Sequence, residues 1–549
     1  MPAPDGYSDL VELFGEWRAF ESPPLKDGAP DYTAGRMRAV RTGIEDFDRR
    51  LNAIDTDAWP VANQVDWHLL RAEINGLDFH VRVLRPWARD PAFYQTVWTY
   101  QSDTPAHEGP THHRLLELWT YEFPLSADEQ RRLRDDLAVI PPLLTQARSN
   151  LTGNARDLWV SGIYNLRQQA EDLEALRARL AGDVPADLRA ALGAAIEATR
   201  AFVLWLEEQA GDKTGPSGIG IDEYSWHLQQ VWYVPMTWAD EKRLLERELR
   251  RAWSALKLEE HRNRELLELK PADDPAGFDA LARASADRLM DFLREQEILR
   301  VEPWMDSALR EHLGEYIPPE RRNFFTIGAH LDPTPLYTHF YHWFDLARMR
   351  EEPHSSPLRQ QPLLFNIFTS RTEGMATAFE ELTMQAGLHD DHRRAREIVW
   401  ILLAQRAARG LGSLDAHANR KTMTGAAEFH ARWTPRQWMN RDLEQIDAGD
   451  FDAQDDEDYS ARMNLLAFEQ QLYLRQPGYG TSYVTGKYQL DRMISVYARQ
   501  KMEQGGEFVL SEFFEAFNAA GVIPMSLIHW QLTGDRSGID TITAAADRR

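Results

Sequence analysis

The sequence predicts a mainly α-helical protein, built from many helices in two lobes, with at most one small β-sheet. The chain has 549 residues, which is enough for a large core and for more than one lobe. Hydrophobic residues make up 43% of it and charged residues 27%, the usual balance of a globular protein. Apolar residues recur at steps of three and four through most of the chain, which is the period of an amphipathic helix.

The clearest helical pattern lies over residues 158–208. Leu173, Leu176 and Leu180 recur there at helical spacing. Pro185 interrupts the pattern, so we expect two antiparallel helices and not one long rod. Further helices are expected over 239–268, 276–298, 371–386, 392–411, 459–474, 482–503 and 510–519.

Two short runs have the composition of β-strands. Residues 323–327 and 363–368 are rich in aromatic and β-branched side chains, which suit a pleated, half-buried surface. We expect these runs to pair in the one small sheet.

Turn-forming residues cluster at 211–221 and 270–276 and separate an N-terminal group of helices from the rest. The sequence therefore assigns residues 1–212 to an N-terminal helical lobe and 213–535 to a C-terminal helical lobe of catalytic type. Residues 536–549 are expected to form a frayed tail.

Charge and cysteine content exclude several classes of function. The net charge is −24 and is spread along the chain, so nucleic acid and anionic membranes are poor partners. The chain has no cysteine, which excludes disulfides, a thiolate nucleophile and a cysteine-ligated metal. No stretch approaches the roughly 18 apolar residues of a membrane span, and the start lacks the pattern of a secretion signal. We expect a cytoplasmic protein that acts on a small or short peptide-like substrate, and the sequence leaves its oligomeric state open.

The residues that could perform chemistry are histidines and carboxylates. The chain contains no glycine-rich phosphate loop, no G-x-S-x-G and no H-E-x-x-H. His339 and His342 are three residues apart and share one face if the segment is helical. Glu373 and Glu380 follow on a second predicted helix, also on one face. Two histidines and a glutamate are the ligands of many catalytic zinc sites, whereas the alternative is a hydrogen-bonded histidine pair in the packing.

Three longer motifs carry a family resemblance. Residues 373–380 read E-G-M-A-T-A-F-E and resemble E-G-W-A-L-Y-x-E, and residues 477–486 resemble P-G-x-x-x-x-Y-x-x-G. Residues 513–525 resemble F-H-x-x-x-L-x-x-G-x-x-P-L. Through these motifs the chain resembles the bacterial domain-of-unknown-function family 885, which is grouped with the gluzincin-type zinc metallopeptidases. The resemblance spans residues 100 to 530, roughly, and implies a metallopeptidase-like, two-lobed scaffold.

The resemblance also implies roles for individual residues. Zinc would be held by His339, His342 and Glu373, and Tyr483 resembles the phenol that stabilises a tetrahedral oxyanion. We assign catalytic roles to Tyr483, Glu380 and His342, and substrate-binding roles to Tyr337, Arg406 and Tyr479.

The chain departs from the family where the chemistry is expected. The first family motif, H-E-x-x-P-G-H-H, falls where this chain reads P-L-Y-T-H-F-Y-H at residues 335–342, and Leu336 stands where the family has its glutamate base.

The family motif A-R-L-V-x-D-x-G-x-H aligns with residues 406–414 from its arginine onward, and Gly410 and Leu414 replace its aspartate and histidine. His417 lies one turn away as a candidate substitute. Residues 107–113 resemble the missing box, but they precede motifs that should come first, so we interpret them as surface histidines.

Three functions remain open from the sequence. The preferred one is metal-assisted hydrolysis of an amide or peptide-like bond in a small substrate, with Glu380 or a substrate group accepting the proton. The second is metal-free acid–base chemistry on the same scaffold, such as elimination, cyclisation or hydrolysis of a small metabolite. The third is a catalytically inactive binding protein.

Overall fold

The computed structural model describes residues 6–103, 115–180, 182, 184–360, 362–365, 369–447 and 465–546. Helices account for 71% of the structure, which confirms the mainly α class. Within the described ranges, no helix has both the length and the apolar composition needed to cross a membrane.

The chain divides into two compact units. The first comprises Met1–Thr56, Glu73–Ser102 and Ala106–Ile219, and the second comprises Asp57–Ala72, Asp103–Pro105 and Gly220–Arg549.

The first part of the chain contains short helices followed by two long ones. In order, the helices are α1 Tyr7–Glu21, α2 Ala34–Asn52, α3 Val61–Phe79, α4 Pro86–Arg89, α5 Ala127–Leu137, α6 Ile140–Asn150, α7 Arg156–Arg179 and α8 Ala186–Ala210. The strands are β1 Leu25–Lys26 with β2 Ala29–Pro30, antiparallel, and β3 Val97–Trp98 with β4 Leu116–Glu117, parallel. The core lies between α7 and α8, where the Trp159 indole is fully buried and donates to the Leu206 carbonyl at 2.9 Å. The two helices predicted over 158–208 are thereby confirmed, and Pro185 immediately precedes the second.

The second part of the chain is built from helices alone in its described residues. These are α9 Ile221–Gln230, α10 Trp238–Arg262, α11 Pro275–Glu295, α12 Pro303–Arg310, α13 Phe324–Leu331, α14 Thr334–His339, α15 Tyr341–Glu351, α16 Thr369–Gln385, α17 Ala395–His417, α18 Met423–Trp433, α19 Asn440–Asp447, α20 Leu465–Arg475, α21 Tyr479–Glu503, α22 Leu510–Ala519, α23 Met525–Thr533 and α24 Ser537–Ala546. Helices α16, α17 and α21 pack against one another and form its centre. Almost every residue of α17 is buried, so its amphipathic pattern is weak.

Short turns of other helix types connect these elements. They are a π-helix at His80–Leu84 and 3₁₀-helices at Pro91–Tyr94, Leu118–Thr120, Pro319–Arg321, Pro357–Arg359 and Pro435–Gln437.

The predicted strand at 323–327 was wrong, since Phe324–Leu331 form helix α13. The Asn323 side chain accepts a hydrogen bond from the Thr326 amide at 3.0 Å, and the Thr326 hydroxyl accepts one from the Asn323 amide at 2.7 Å. This reciprocal capping begins a helix in a run whose aromatic content suggested a strand. Leu363, Leu364 and Phe365 of the second run are not in a strand, and residues 366–368 lie outside the described residues.

The C-terminal residues expected to fray form helix α24 up to Ala546. Ile539 and Ile542 are buried, and the Gln230 side chain donates to the Ile542 carbonyl at 2.8 Å. Two apolar side chains one turn apart are enough to attach this short helix to its unit.

Candidate metal centre

The two histidines come from two successive short helices and not from one. His339 ends α14, and His342 lies in the first turn of α15. Phe340 joins the helices with ψ near 16°, which closes the last turn of α14 tightly. Both imidazoles nevertheless face the same side, with ring centroids 5.0 Å apart and planes at 80°.

Glu373 on α16 completes the group. Its Oε2 lies 3.3 Å from His339 Nε2 and 3.1 Å from His342 Nε2. One ligand atom from each of the three residues falls within 4.8 Å of the other two. Metal–ligand bonds of about 2.0–2.2 Å in a tetrahedron separate neighbouring ligand atoms by roughly 3.3–3.6 Å, so the three side chains fit a zinc ion after small movements. The structure thus brings together all three residues assigned as metal ligands.

Paired glycines allow the helices of the site to approach closely. Gly374 on α16 faces Gly486 on α21, and a Cβ on Gly486 would lie 1.9 Å from the Ser370 carbonyl oxygen. A Cβ on Gly374 would lie 2.4 Å from the Gly486 Cα. No larger residue fits at either position without separating the helices. This contact places the first turns of α21 beside Glu373.

Two tyrosines on α21 hold the other oxygen of Glu373. Tyr479 and Tyr483 lie four residues apart on one face and donate to Oε1 at 2.7 and 3.0 Å. Their bonds fix the carboxylate and leave Oε2 to the histidines. The Arg409 guanidinium stacks on the Tyr483 ring at 3.9 Å, which holds that ring in place. Tyr479, which the sequence assigned to substrate binding, therefore contacts the carboxylate of Glu373, one of the three candidate metal ligands.

Behind His339 lies a buried ion pair of Glu380 and Arg406. Arg406 donates to Glu380 Oε2 at 2.6 Å, and both side chains are about 1% exposed. His339 Nδ1 lies 2.9 Å from Glu380 Oε1 and 3.1 Å from an Arg406 nitrogen. The guanidinium can only donate, so His339 Nδ1 accepts from Arg406, whereas Glu380 Oε1 has no hydrogen-bond partner in the described structure. The ring proton of a neutral His339 then lies on Nε2, which faces Glu373 Oε2 at 3.3 Å, so metal binding at Nε2 requires the loss of this proton. Arg406 contacts protein groups here, whereas the sequence assigned it to substrate.

Electrostatic interactions within the cluster favour the charged forms of His342 and Glu373. Burial opposes the protonated form of His342, but the carboxylates of Glu373 and Asp103 outweigh it and raise its pKa to about 9. Burial likewise opposes the ionised form of Glu373, yet His342 and His339 hold its pKa well below the usual value. The site therefore keeps a negative charge on Glu373 and a strong tendency to bind cationic charge beside it.

Asp103 belongs to the site and was missed from the sequence. Burial raises its pKa, and it interacts electrostatically with His342, Glu373 and His339. It lies more than 230 residues before the histidines, in a polar turn-forming run that matches no motif. Only the tertiary fold brings Asp103 close to the His339–His342–Glu373 cluster.

Other predicted residues lie elsewhere. The Tyr337 hydroxyl donates to the Leu313 carbonyl at 2.8 Å, and its side chain points away from that of His339 because residues two apart on a helix face nearly opposite sides. His417 is fully buried, and its Nε2 donates to the Tyr473 carbonyl at 2.8 Å, so it does not replace the family histidine near the metal. Residues 107–113 lie outside the described residues.

Comparison with known proteins shows the fold without a function. No family model and no curated protein matches the chain. A solved structure from Shewanella oneidensis, named a "putative lipoprotein of unknown function", superposes with a TM-score of 0.64 at 14% identity, covering 95% of this chain and 97% of that one. A "putative lipoprotein" from Colwellia psychrerythraea superposes with a TM-score of 0.63 at 12% identity, covering 99% and 98%. At these identities the likeness shows a shared fold.

Proposed function

We propose that this protein is a metal-dependent hydrolase that cleaves an amide or peptide-like bond in a small substrate. The observation that supports this most is the convergence of His339, His342 and Glu373, with their ligand atoms within 4.8 Å of one another. A His₂Glu set leaves a fourth tetrahedral position for water or substrate. Membership of the family that the sequence motifs resemble is part of the same proposal.

The surrounding residues support a catalytic and not a purely structural site. The ion pair of Arg406 and Glu380 holds the His339 ring through Nδ1, and Tyr479 with Tyr483 holds the Glu373 carboxylate. Zinc, when bound there, supplies Lewis acidity that polarises a carbonyl and lowers the pKa of water to about 7. A structural zinc site is usually closed by four protein ligands, whereas only three lie within reach among the described residues.

The proton acceptor in this proposal is Asp103. The sequence left Glu380 as the candidate base, but Glu380 pairs with Arg406 and lies beside the Nδ1 edge of His339, whereas Nε2 faces Glu373. Asp103 interacts with all three ligand residues and has no ion pair with arginine or lysine in the described part of the chain. Burial raises the pKa of Asp103 above its usual value, which makes the carboxylate a stronger base.

The metal-free alternative receives less support from the geometry. Without a cation, His342 and Glu373 form a buried ion pair 3.1 Å apart. The pKa of His342 near 9 and the low pKa of Glu373 keep both groups charged at neutral pH. Acid–base catalysis works best with pKa values near the working pH, so this pair is poorly suited to it.

The metal content of the purified chain tests the proposal. Protein isolated without added zinc or chelator should carry about one equivalent of a divalent metal, and His342→Ala and Glu373→Gln should each lower occupancy at least tenfold or so. His261→Ala, at the exposed end of α10, is the matched control and should leave the content unchanged. Wild-type protein that carries no metal and takes up none from dilute zinc would refute the proposal.

For location, we propose the cytoplasm, following the sequence. The two solved proteins of the same fold are named lipoproteins, which favours the competing location at a membrane surface. Cell fractionation decides: recovery of the native chain in the soluble fraction is expected, and recovery with the membranes contradicts the proposal.

A further inference from the structure

The first turns of α21 contact a second buried carboxyl group, on the side of the helix away from the candidate metal centre. Glu241 lies in the first turn of α10 and is fully buried. Its Oε1 accepts hydrogen bonds from the Thr485 hydroxyl at 2.8 Å and from the Thr481 hydroxyl at 3.0 Å. Residues two apart on a helix face nearly opposite sides, so these threonines point away from Tyr479 and Tyr483. The start of α21 is therefore held on two opposite sides by buried carboxyl groups.

The helices that pack against Glu241 bring hydroxyl groups to it and no counter-charge. Glu241 Oε2 accepts from the Tyr224 hydroxyl of α9 at 2.8 Å, and the His417 ring of α17 lies on the far side of Tyr224, with centroids 5.3 Å apart. Lys487 is the one charged side chain of residues 479–490 on α21. It pairs with Glu381 of α16 at 3.1 Å and not with Glu241.

Neighbouring charges on α10 do not favour an ionised Glu241 either. The charge of Asp240 opposes this ionisation. Lys242 pairs with Asp415 of α17 at 3.6 Å. In the described part of the chain Glu241 thus has no ion pair, and a buried carboxylate without a counter-charge is costly, whereas the neutral acid is not.

The hydrogen bonds of this group also depend on whether Glu241 is protonated. The Thr481 hydroxyl lies 3.0 Å from Glu241 Oε1 and 2.9 Å from the Gly478 carbonyl, but it can donate to only one of them. When Glu241 is protonated on Oε1, it donates to the Thr481 oxygen, and Thr481 donates to Gly478. When Glu241 is ionised, one of the two contacts lacks a proton. Because Gly478 is the N-cap of α21, the change falls at the start of this helix.

The titration of Glu241 falls in a range that cells experience. Burial raises the pKa of Glu241 to about 7, although the three hydroxyl groups that donate to it lower the value. A glutamate in an unfolded chain has a pKa of about 4.3. Between these two values the folded chain keeps a proton that the unfolded chain has released, so rising pH should reduce the stability of the fold.

We propose that Glu241 is a proton switch that controls how firmly the start of α21 is attached to α9 and α10. Protonated Glu241 completes the hydrogen bonds with Thr481 and Thr485 and holds the helix. Ionised Glu241, whose proton has passed to solvent, leaves a buried charge and loosens the attachment. Tyr479 and Tyr483 lie on the same turns and carry the change to the candidate metal centre, a consequence that rests on the proposed function.

Glu241→Gln tests the switch, because glutamine has the shape of the neutral acid and cannot ionise. Chemical denaturation in EDTA, from about pH 5 to about pH 8, gives a result that does not depend on a bound metal. Wild-type stability should fall relative to that of Glu241→Gln up to about pH 7 and then stay level, with a change in the unfolding equilibrium constant on the order of a hundredfold. Glu246→Gln, at a partly exposed position later on α10, is the matched control and should keep the wild-type profile.

Thr485→Val moves the switch without removing it. The loss of one donor to the carboxylate should raise the pKa of Glu241, so the fall in stability should shift to higher pH by about half a unit or more. Hydrogen exchange of residues 481–486, corrected for the intrinsic effect of pH, follows the helix itself. Protection should fall several-fold, roughly, between about pH 6 and about pH 8 in the wild type and stay constant in Glu241→Gln. Parallel stability profiles of these two proteins, an unshifted profile in Thr485→Val, or the same pH dependence of protection in both would each overturn the proposal.

Discussion

Tyr483 and Tyr479 both donate a hydrogen bond to Glu373 Oε1. Substituting each in turn distinguishes a tyrosine that only holds this carboxylate in place from one that also takes part in catalysis. Tyr483 faces the His339 ring, with centroids 6.2 Å apart and planes at 15°, whereas Tyr479 stacks on Tyr473. Each Tyr→Phe change removes one bond to a buried carboxylate and should cost about 1.5–3 kcal/mol of unfolding free energy.

Only Tyr483→Phe should also lower turnover, by roughly a hundredfold, because its phenol alone lies beside both a ligand histidine and Glu373. Turnover is measured on metal-loaded protein with the best amide substrate from a screen, and Tyr479→Phe serves as the control. Equal turnover losses in the two variants would assign both tyrosines to support.

At the same scale, sequence reasoning predicted the cluster of His339, His342 and Glu373 and missed Asp103 beside it. His339, His342 and Glu373 could be found because ligand chemistry restricts the residue types and the motif around Glu373 restricts the position. Tyr337 and Arg406 were predicted to bind substrate, and that role stays a prediction; in the structure both side chains contact protein groups, which the sequence did not indicate. Asp103 carries no sequence signal, since only the fold joins it to the cluster.

At the scale of elements, the contact between α16 and α21 determines the geometry of the site. Gly486→Ala should gain about 1 kcal/mol from helix propensity, but its Cβ would overlap the Ser370 carbonyl oxygen at 1.9 Å. Overlap with backbone cannot be relieved by a rotamer change, so the net effect should be a loss of about 2–3 kcal/mol or more.

Chemical denaturation of the Gly486→Ala variant measures this effect, together with its metal content, which should fall because Glu373 moves with α16. Gly15→Ala on α1 is the control, because a Cβ there meets nothing within 4 Å, and it should be neutral or stabilising. A Gly486→Ala protein as stable as the wild type and fully loaded with metal would show that the helices do not need this close approach.

Elements were predicted well where periodicity is long and poorly where it is short. The pair α7 and α8 follows from apolar spacing over fifty residues broken by one proline. Helix α13 has eight residues, too few for a period to appear among aromatic side chains. Its capping pair, Asn323 and Thr326, is the sequence signal that indicates a helix start, and the β-strand prediction rested on composition alone.

At the scale of the whole molecule, the class of fold follows from composition and periodicity, but the connection of distant segments does not. The second unit includes residues 57–72 and 103–105, which lie far in sequence from its main part. The sequence placed a single boundary at residue 212. Such a boundary does not show that short segments before it belong to the second unit. Asp103 lies in one of these segments, residues 103–105, and so belongs to the same unit as the candidate metal centre.

Metal binding should raise the stability of the entire chain. A ligand that binds only the folded state adds about 2.7 kcal/mol at a concentration one hundred times its Kd. For a chain of this length that corresponds to a rise in melting temperature on the order of 2–5 °C. We expect this rise when zinc is added to chelator-treated protein, reversal by EDTA, and no rise with magnesium, which prefers six oxygen ligands. Glu373→Gln keeps the side-chain shape but removes the anionic ligand, so zinc should not stabilise that variant. An equal zinc-induced rise in Glu373→Gln would place the stabilising metal elsewhere in the protein and separate it from the His339–His342–Glu373 centre.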